Sequence, residues 1–442
     1  MDLLIAGGTV VTMDPQRRLI EDGTVVVRDD RIASVGKRTD IAPHFSGKTI
    51  DARGALVVPG LINGHAHAAM SLLRGIADDH LLNDWLERYI FPAEANNVSE
   101  EFVTWGTRLG LLEMIRGGIT TYADMYYFED AVARVTKEAH MRGVLAETIV
   151  DFPAPDHRTP AAAIEYLERF IEKWQGDPLI TPAAGPHSIY TVSEAHLRAI
   201  ADLARRHDVP ILIHLAEAKL ESENIRATHA TSPAAYLHQI GMLGPKVTAA
   251  HCIWEENADI ALLAACGVGC VHNPSSNMKL ASGVMPVVDL RAAGVAVGLA
   301  TDGAASNNRQ DMFYEMDLAA KLQKITRMDP RALPAMEVVE MATIEGARAL
   351  HLAKEIGSIE EGKQADIIIV ETNAPHATPM YNVYSQLVYA LKSSDVASVM
   401  IGGKMVMEDR KMLTLDENEI LTKAREYQRR VTDSLIASRV VS

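Results

Sequence analysis

Residues 59–68 read PGLINGHAHA, with His65 and His67 spaced H-x-H. Side chains on a strand alternate with period two, so both imidazoles project to one side and reach a single metal ion. Gly60 and Gly64 allow close backbone approach. Farther along, apolar runs end in groups of the same chemical kind. His214 falls within VPILIHLAE with Glu217 three residues on, His251 ends VTAAH, and Asp302 follows VAVGLAT. Taken singly, a buried histidine is usually a satisfied core residue, and an aspartate before glycine is usually a turn or cap. Their recurrence at successive strand ends argues for one shared centre. Three imidazoles and one carboxylate suit Zn²⁺ with an open position for water, whose pKa the ion brings towards neutrality, making a hydroxide nucleophile. The same donor set accepts Fe²⁺ or Mn²⁺. H-E-x-x-H, C-x-x-C, G-x-x-x-x-G-K-[ST] and G-x-G-x-x-G are all absent, which leaves other zinc signatures and nucleotide-phosphate chemistry without support.

Such groups must be gathered by a scaffold. Residues 59–355 alternate short apolar runs with helical segments, the pattern of repeated βαβ units. Ser193 is placed to cap a helix whose inward face is Leu197, Ile200, Ala201 and Ala204. A further helix ends before Gly267, and VVDLRAAG is a short helix closed by Gly294. Eight strands follow one another, with polar ends at His65 and His67; Asp124; Glu147 and Asp151; His187; His214; His251; His272 and Asn273; and Asp302. This predicts an α/β fold, a (β/α)8 TIM-type barrel whose chemistry sits at the C-terminal mouth. A doubly wound open sheet gives no reason to end every strand in a polar group. Residues 1–58 read as β structure, with a hairpin across Asp29–Asp30. After Gly357 the style returns in ADIIIVE and in VASVMIGGKMVME, with its Gly402–Gly403 turn. Residues 1–58 and 356–442 are therefore expected to build one small β-sandwich domain, followed by a terminal helix from Asp416 to about Ala437.

The 442 residues, 48% hydrophobic and 23% charged, support a large core and exclude a disordered chain. With 58 acidic and 43 basic residues the net charge is −15, so binding to nucleic acid or an anionic membrane is not expected. The longest apolar stretch, Ile260–Val271, is too short to span a bilayer. The N-terminus carries no basic region ahead of an apolar one, so a signal peptide is not expected. Cys252, Cys266 and Cys270 read as buried free thiols of a cytoplasmic protein.

PGLINGHAHA, His214, His251 and Asp302, in that order, resemble the amidohydrolase superfamily, over nearly the whole chain and including the split β domain. The resemblance implies a metal-dependent hydrolase on a distorted barrel, with His65, His67, His214 and Asp302 as ligands. It implies His251 as a non-ligand that steadies the nucleophile and the developing oxyanion. Binuclear members carry a carboxylated lysine at the end of strand four. Here that strand, ITPAAGPHS, has no lysine, which favours one ion per subunit. The H-L-A-E motif is similar to that of deaminating members, which implies Glu217 as proton donor to a ring nitrogen and Asp302 as the proton shuttle.

WLERYIFPAEA, GPHSIYTVS, HNPSSNMKLASGVMPV and TDGAASNN resemble the 5′-methylthioadenosine/S-adenosylhomocysteine deaminases. That likeness implies Glu94 on the ribose hydroxyls, His187 on the nucleoside, and Trp85 near the ring or sulfur side. Segment 74–97 is then a lid carrying Trp85 and Glu94. His272, Asn273 and Ser276 are assigned to shaping the mouth. Relatives can hold a substrate's amino-acid tail with arginines after strand three; Arg158 is the nearby candidate. The implied reaction is zinc-dependent hydrolytic deamination of the adenine ring of 5′-methylthioadenosine and/or S-adenosylhomocysteine, giving the inosine analogue and ammonia. The partner is a small purine nucleoside, and family analogy adds a homo-oligomer. Alternatives that keep the metal set are a guanine or pterin deaminase or a triazine chlorohydrolase. A non-catalytic scaffold is remote, because the ligands, His251 and Glu217 are all retained.

Overall fold

A computed structural model describes residues 2–42 and 45–437. The chain opens with β1 (Leu3–Val11), β2 (Leu19–Arg28), β3 (Arg31–Lys37), β4 (Lys48–Asp51) and β5 (Ala55–Pro59). β2 and β3 form the expected hairpin, with Arg28 opposite Arg31. β1 pairs antiparallel with β2 and parallel with β4 and β5.

The barrel follows as β6 (Leu61–Ala66), β7 (Ile119–Tyr126), β8 (Arg142–Ile149), β9 (Ile180–Pro186), β10 (Ile211–Leu215), β11 (Val247–His251), β12 (Gly269–His272) and β13 (Val297–Leu299). These are eight strands in sequential order, and every pairing is parallel. The first and last meet where the Asp302 amide donates to the His65 carbonyl at 3.0 Å and the Thr301 amide donates to Asn63 Oδ1 at 2.9 Å. The strands are buried almost throughout, as a parallel sheet wrapped by helices requires. Gly60 is obligatory at the junction between β5 and β6, because a Cβ there would lie 2.0 Å from Thr120 Oγ1.

The chain then returns to the first sheet as β14 (Ile367–Glu371), β15 (Val396–Ile401), β16 (Lys404–Glu408) and β17 (Lys411–Met412). β14 inserts between β5 and β15, so both chain ends share one continuous sheet. That sheet folds back on itself: Ile32 donates to the Lys363 carbonyl and Ala365 to the Asp30 carbonyl, each at 2.8 Å. The enclosed core includes Ile5, Val25, Val57, Ile367, Ile369 and Met400. Arg142 of the barrel and Asp366 beside β14 form a buried ion pair (2.9 Å) that joins the two sheets.

Helix Glu194–His207 buries Leu197, Ile200, Ala201 and Ala204 as expected. Ser193 stands at its start but does not cap it. Its hydroxyl meets His196 Nδ1 at 3.0 Å instead. Cys252 and Cys270 are buried and free, whereas Cys266 is only half-buried, since it ends a surface helix near His238. The terminal helix, Glu417–Ala437, packs on helix Glu100–Arg116, with Tyr427 edge-on to Phe102. It also braces Phe91–Asn97, since Asn97 Nδ2 donates to Ser434 Oγ at 2.9 Å. No helix among the described residues is long and apolar enough to cross a membrane.

Candidate active site

At the C-terminal mouth of the barrel, His65 and His67 leave β6 side by side and His214 faces them from β10. Their ligand-capable nitrogens all lie within 4.8 Å of one another. Two of the rings are held by carbonyls: His67 Nδ1 donates to Met125 O (2.6 Å) and His214 Nδ1 to His187 O (2.8 Å). Those bonds fix the tautomer that leaves Nε2 as the metal-facing atom. His65 Nε2 is buried without a hydrogen-bond partner. Asp302 Oδ1 closes the group, 3.5 Å from His65 Nε2 and 3.3 Å from His67 Nε2.

Burial pushes His65 down to about 4 and His214 well below the ordinary imidazole range, so both are neutral donors. Burial also opposes charge on His67, but the adjacent Asp302 carboxylate outweighs it and lifts that ring to about 9. Burial works against the Asp302 anion too, yet the two imidazoles beside it hold it well below the usual range. An orphaned buried nitrogen, two carbonyl-oriented rings and an anionic carboxylate fit a divalent cation, zinc included.

Asp302 is itself tightly held. Ser276 Oγ donates to its Oδ2 at 2.6 Å and Ser306 Oγ at 3.0 Å, while the Gly303 amide donates to Oδ1 at 2.7 Å. Ser276 therefore touches a metal-type residue directly, beyond the mouth-shaping expected of it. His251 and Asp302 both adopt left-handed backbone, with φ of 73° and 62°. Strain of this kind in non-glycine residues collects at functional sites. His251 Nδ1 meets Asn277 Oδ1 at 2.8 Å, and its Nε2 lies 3.8 Å from Glu217 Oε2. Burial raises the Glu217 carboxyl, which favours its protonated form. The turn carrying Glu217 is pinned by Glu221, whose oxygens accept from the amides of Ala216 (3.1 Å) and Glu217 (3.0 Å).

The centre opens into a cleft of about 590 Å³, part of it open to solvent. Trp85, Glu94 and His187 line it, together with Tyr126, Tyr127, Tyr190 and Leu280. The 74–97 segment forms one wall as helix Leu82–Trp85, a π turn over Leu86–Ile90, and helix Phe91–Asn97. Trp85 lines the cleft and is buried, its Nε1 donating to Ala77 O at 3.1 Å. Glu94 is buried beside the cleft and accepts from the Tyr126 hydroxyl at 2.8 Å. Burial raises its carboxyl to about 7. His187 hangs over His214 with ring centroids 4.6 Å apart.

Arg158 is the exception. It is exposed and is not among the residues lining the cleft, because the 150–159 loop turns Asp156 and His157 inward towards Glu147 and leaves Arg158 outside. Glu221, Asn277 and the three tyrosines escape sequence reading. Only Glu221 leaves a trace, as an acid in the first turn of the helix after H-L-A-E.

The amidohydrolase family model matches residues 56–406, most of the chain and all of this centre. The chain belongs to the amidohydrolase family. It is 45% identical over 98% of both chains to the 5-methylthioadenosine/S-adenosylhomocysteine deaminase 1 of Syntrophus aciditrophicus. It is 41% identical to the 5′-deoxyadenosine deaminase of Methanosarcina barkeri, over 96% of each. Among solved structures of the family, an adenosine deaminase from Xanthomonas campestris with bound zinc superposes with a TM-score of 0.96. That structure is 38% identical and is matched over 98% of this chain and 99% of its own. The barrel, the second sheet and the metal-type cluster are thus those of a zinc amidohydrolase that acts on C–N bonds.

Proposed function

We propose that this amidohydrolase hydrolytically deaminates the adenine ring of 5′-substituted nucleosides, 5′-methylthioadenosine among them. One observation carries the reading. A single cleft holds a metal-type centre with Glu217 beside His251, and a separate buried carboxylate, Glu94, paired with Tyr126. The first pair suits a purine ring and the second a ribose diol, which a free base or a triazine does not possess.

His65, His67, His214 and Asp302 would hold one divalent ion, which when bound supplies an activated water and polarises the reacting carbon. The residues do the rest. Glu217, kept protonated by burial, gives its proton to ring N1 as the water oxygen bonds to C6. Asp302, its plane fixed by Ser276 and Ser306, takes one of the water's protons and returns it to the exocyclic nitrogen, while the other, left on the C6 oxygen, goes back to Glu217 as the carbonyl forms. The C6–N6 bond breaks and ammonia leaves. His251, oriented by Asn277, steadies the oxygen that ends as the product carbonyl. Glu94 accepts from the ribose hydroxyls, while His187 and Trp85 position the nucleoside. The lid segment over 74–97 excludes other water.

We assign the barrel to residues 59–355 and the second domain to 1–58 with 356–442. Three free cysteines fit a reducing compartment, the cytoplasm. The acidic balance favours a small-molecule partner over nucleic acid, and family analogy favours a homo-oligomer.

The test is an ultraviolet deamination assay on zinc-loaded protein with 5′-methylthioadenosine, adenosine, guanine and a chlorotriazine in parallel. The thio-nucleoside should turn over fastest. Inert adenine compounds beside active guanine or triazine would refute the assignment of Glu94, His187 and Trp85.

A further inference from the structure

The relatives' names join two substrates that differ greatly at the 5′ end. A methylthio group is small and neutral. A homocysteine tail carries an ammonium and a carboxylate. Among the described residues lining the cleft there is no lysine and no arginine. Its carboxylates are Glu94, Glu217 and Asp302, each with work of its own in the reaction above. The lid contributes only apolar side chains around Glu94. Ile90 and Phe91 stand four and three residues before it, close to the same face of the wall, and both line the cleft. Phe91 meets Phe152, of the loop after β8, with ring centroids 5.4 Å apart. The rim between lid and loop is therefore closed by an aromatic pair. Were a ribose held on Glu94 with its 5′ carbon towards the lid, the substituent would meet Ile90 and Phe91, which line the same cleft.

From this we infer that the cleft selects adenine nucleosides whose 5′ substituent is uncharged and apolar, and rejects those bearing an amino-acid tail, with Ile90 and Phe91 as specificity-determining residues. The inference rests on the deaminase reading above and narrows it. A carboxylate placed here loses its water and gains no guanidinium fork. Leaving such a group unpaired is the kind of penalty that separates substrates by orders of magnitude.

The experiment compares kcat/KM for 5′-methylthioadenosine, 5′-deoxyadenosine, 5′-butylthioadenosine and S-adenosylhomocysteine on the zinc-loaded wild-type enzyme. The butyl compound matches the length of the tail without its charge. Expected are values within about tenfold for the three neutral nucleosides and at least about 100-fold lower for S-adenosylhomocysteine. Phe91→Arg should raise the ratio of S-adenosylhomocysteine to 5′-methylthioadenosine by at least about tenfold. If that variant fails to fold, the wild-type panel still decides. S-adenosylhomocysteine within tenfold of 5′-methylthioadenosine overturns the inference and leaves the deaminase reading intact. Butylthioadenosine rejected as strongly as S-adenosylhomocysteine overturns it as well, since length and not charge would then discriminate. Loss of S-adenosylhomocysteine turnover on Arg158→Ala would overturn it by making that loop arginine the tail reader. Failure of all four compounds, with guanine or a triazine turned over, would instead sink the deaminase reading and this inference with it.

Discussion

Replacing Glu221 by alanine should cripple catalysis without touching the metal centre or the lid. Its carboxyl accepts from the amides of Ala216 and Glu217 at 3.1 and 3.0 Å, and all three residues are buried. The substitution leaves two buried N–H groups without an acceptor, at about 1–3 kcal/mol each. Ala216 sits at φ 50°, a left-handed conformation that costs a non-glycine residue about 1–2 kcal/mol. Both terms push the turn to relax, and Glu217 moves with it. A displacement of about 1 Å at a proton donor costs about 100-fold in rate. Steady-state kinetics should therefore show kcat reduced about 100-fold, with KM within about threefold of wild type because Glu94, Tyr126 and the lid are unaltered. His214 remains tied to the His187 carbonyl, so metal content should be unchanged. Glu221→Gln keeps one acceptor oxygen and should fall between the two. A Glu221→Ala enzyme with kcat within twofold of wild type at full metal occupancy would refute the idea that this carboxyl sets the position of Glu217.

Three further outcomes are expected. Breaking the buried Arg142–Asp366 pair should cost about 3–5 kcal/mol in urea unfolding for Asp366→Asn while kcat stays within twofold. A loss under about 1 kcal/mol would mean that the pair does not hold the two sheets together. Burial lifts Glu94 to about 7, so below that pH it is a neutral carboxyl and above it a charged acceptor for ribose hydroxyls. KM for the nucleoside should rise as pH falls from 8 to 6, and Glu94→Gln should flatten the profile; a wild-type KM constant over that range refutes the role. Because the shift is upward from 4.5, ionising this group opposes folding, and its contribution to stability is lost as pH rises through about 7. Asn277→Ala removes the nearer partner of His251 Nδ1, leaving Asn273 Nδ2 at 3.3 Å, and should lower kcat about tenfold with little change in KM; equal loss in both would indicate a collapsed cleft instead.

The metal-type centre was legible because its logic is local. H-x-H on a strand needs only the period of a strand, and His214, His251 and Asp302 announce themselves at the ends of apolar runs. The eight repeats were readable for the same reason. Contacts made through the backbone were not legible. Glu221 works by holding two amides across a turn whose left-handed residue is an alanine, and no residue type marks such a turn. Asn277 reaches His251 from a short helix one strand away. Arg158 was misplaced because residues 150–159 have no periodicity to say which side chains turn inward. The π turn was hidden as well. Only Pro92 within WLERYIFPAEA hints at it: that residue has no amide to give, and the wider turn over Leu86–Ile90 lies just before it.

The pairing of β5 with β14 has a consequence for how the molecule is made. The two strands are separated by about 300 residues, and a ribosome adding about 5–20 residues per second takes roughly 15–60 s to cover that distance. Throughout that interval one edge of ALVVP lacks its neighbour, and an unpaired edge of this apolar kind invites association with other chains. The strand that carries His65 follows it after a single glycine. A nascent chain halted after the last barrel strand would thus hold every metal-type residue and still lack the partner that anchors the first of them. Such a fragment should aggregate, and it is the emergence of Ile367–Glu371 that completes the hydrolase.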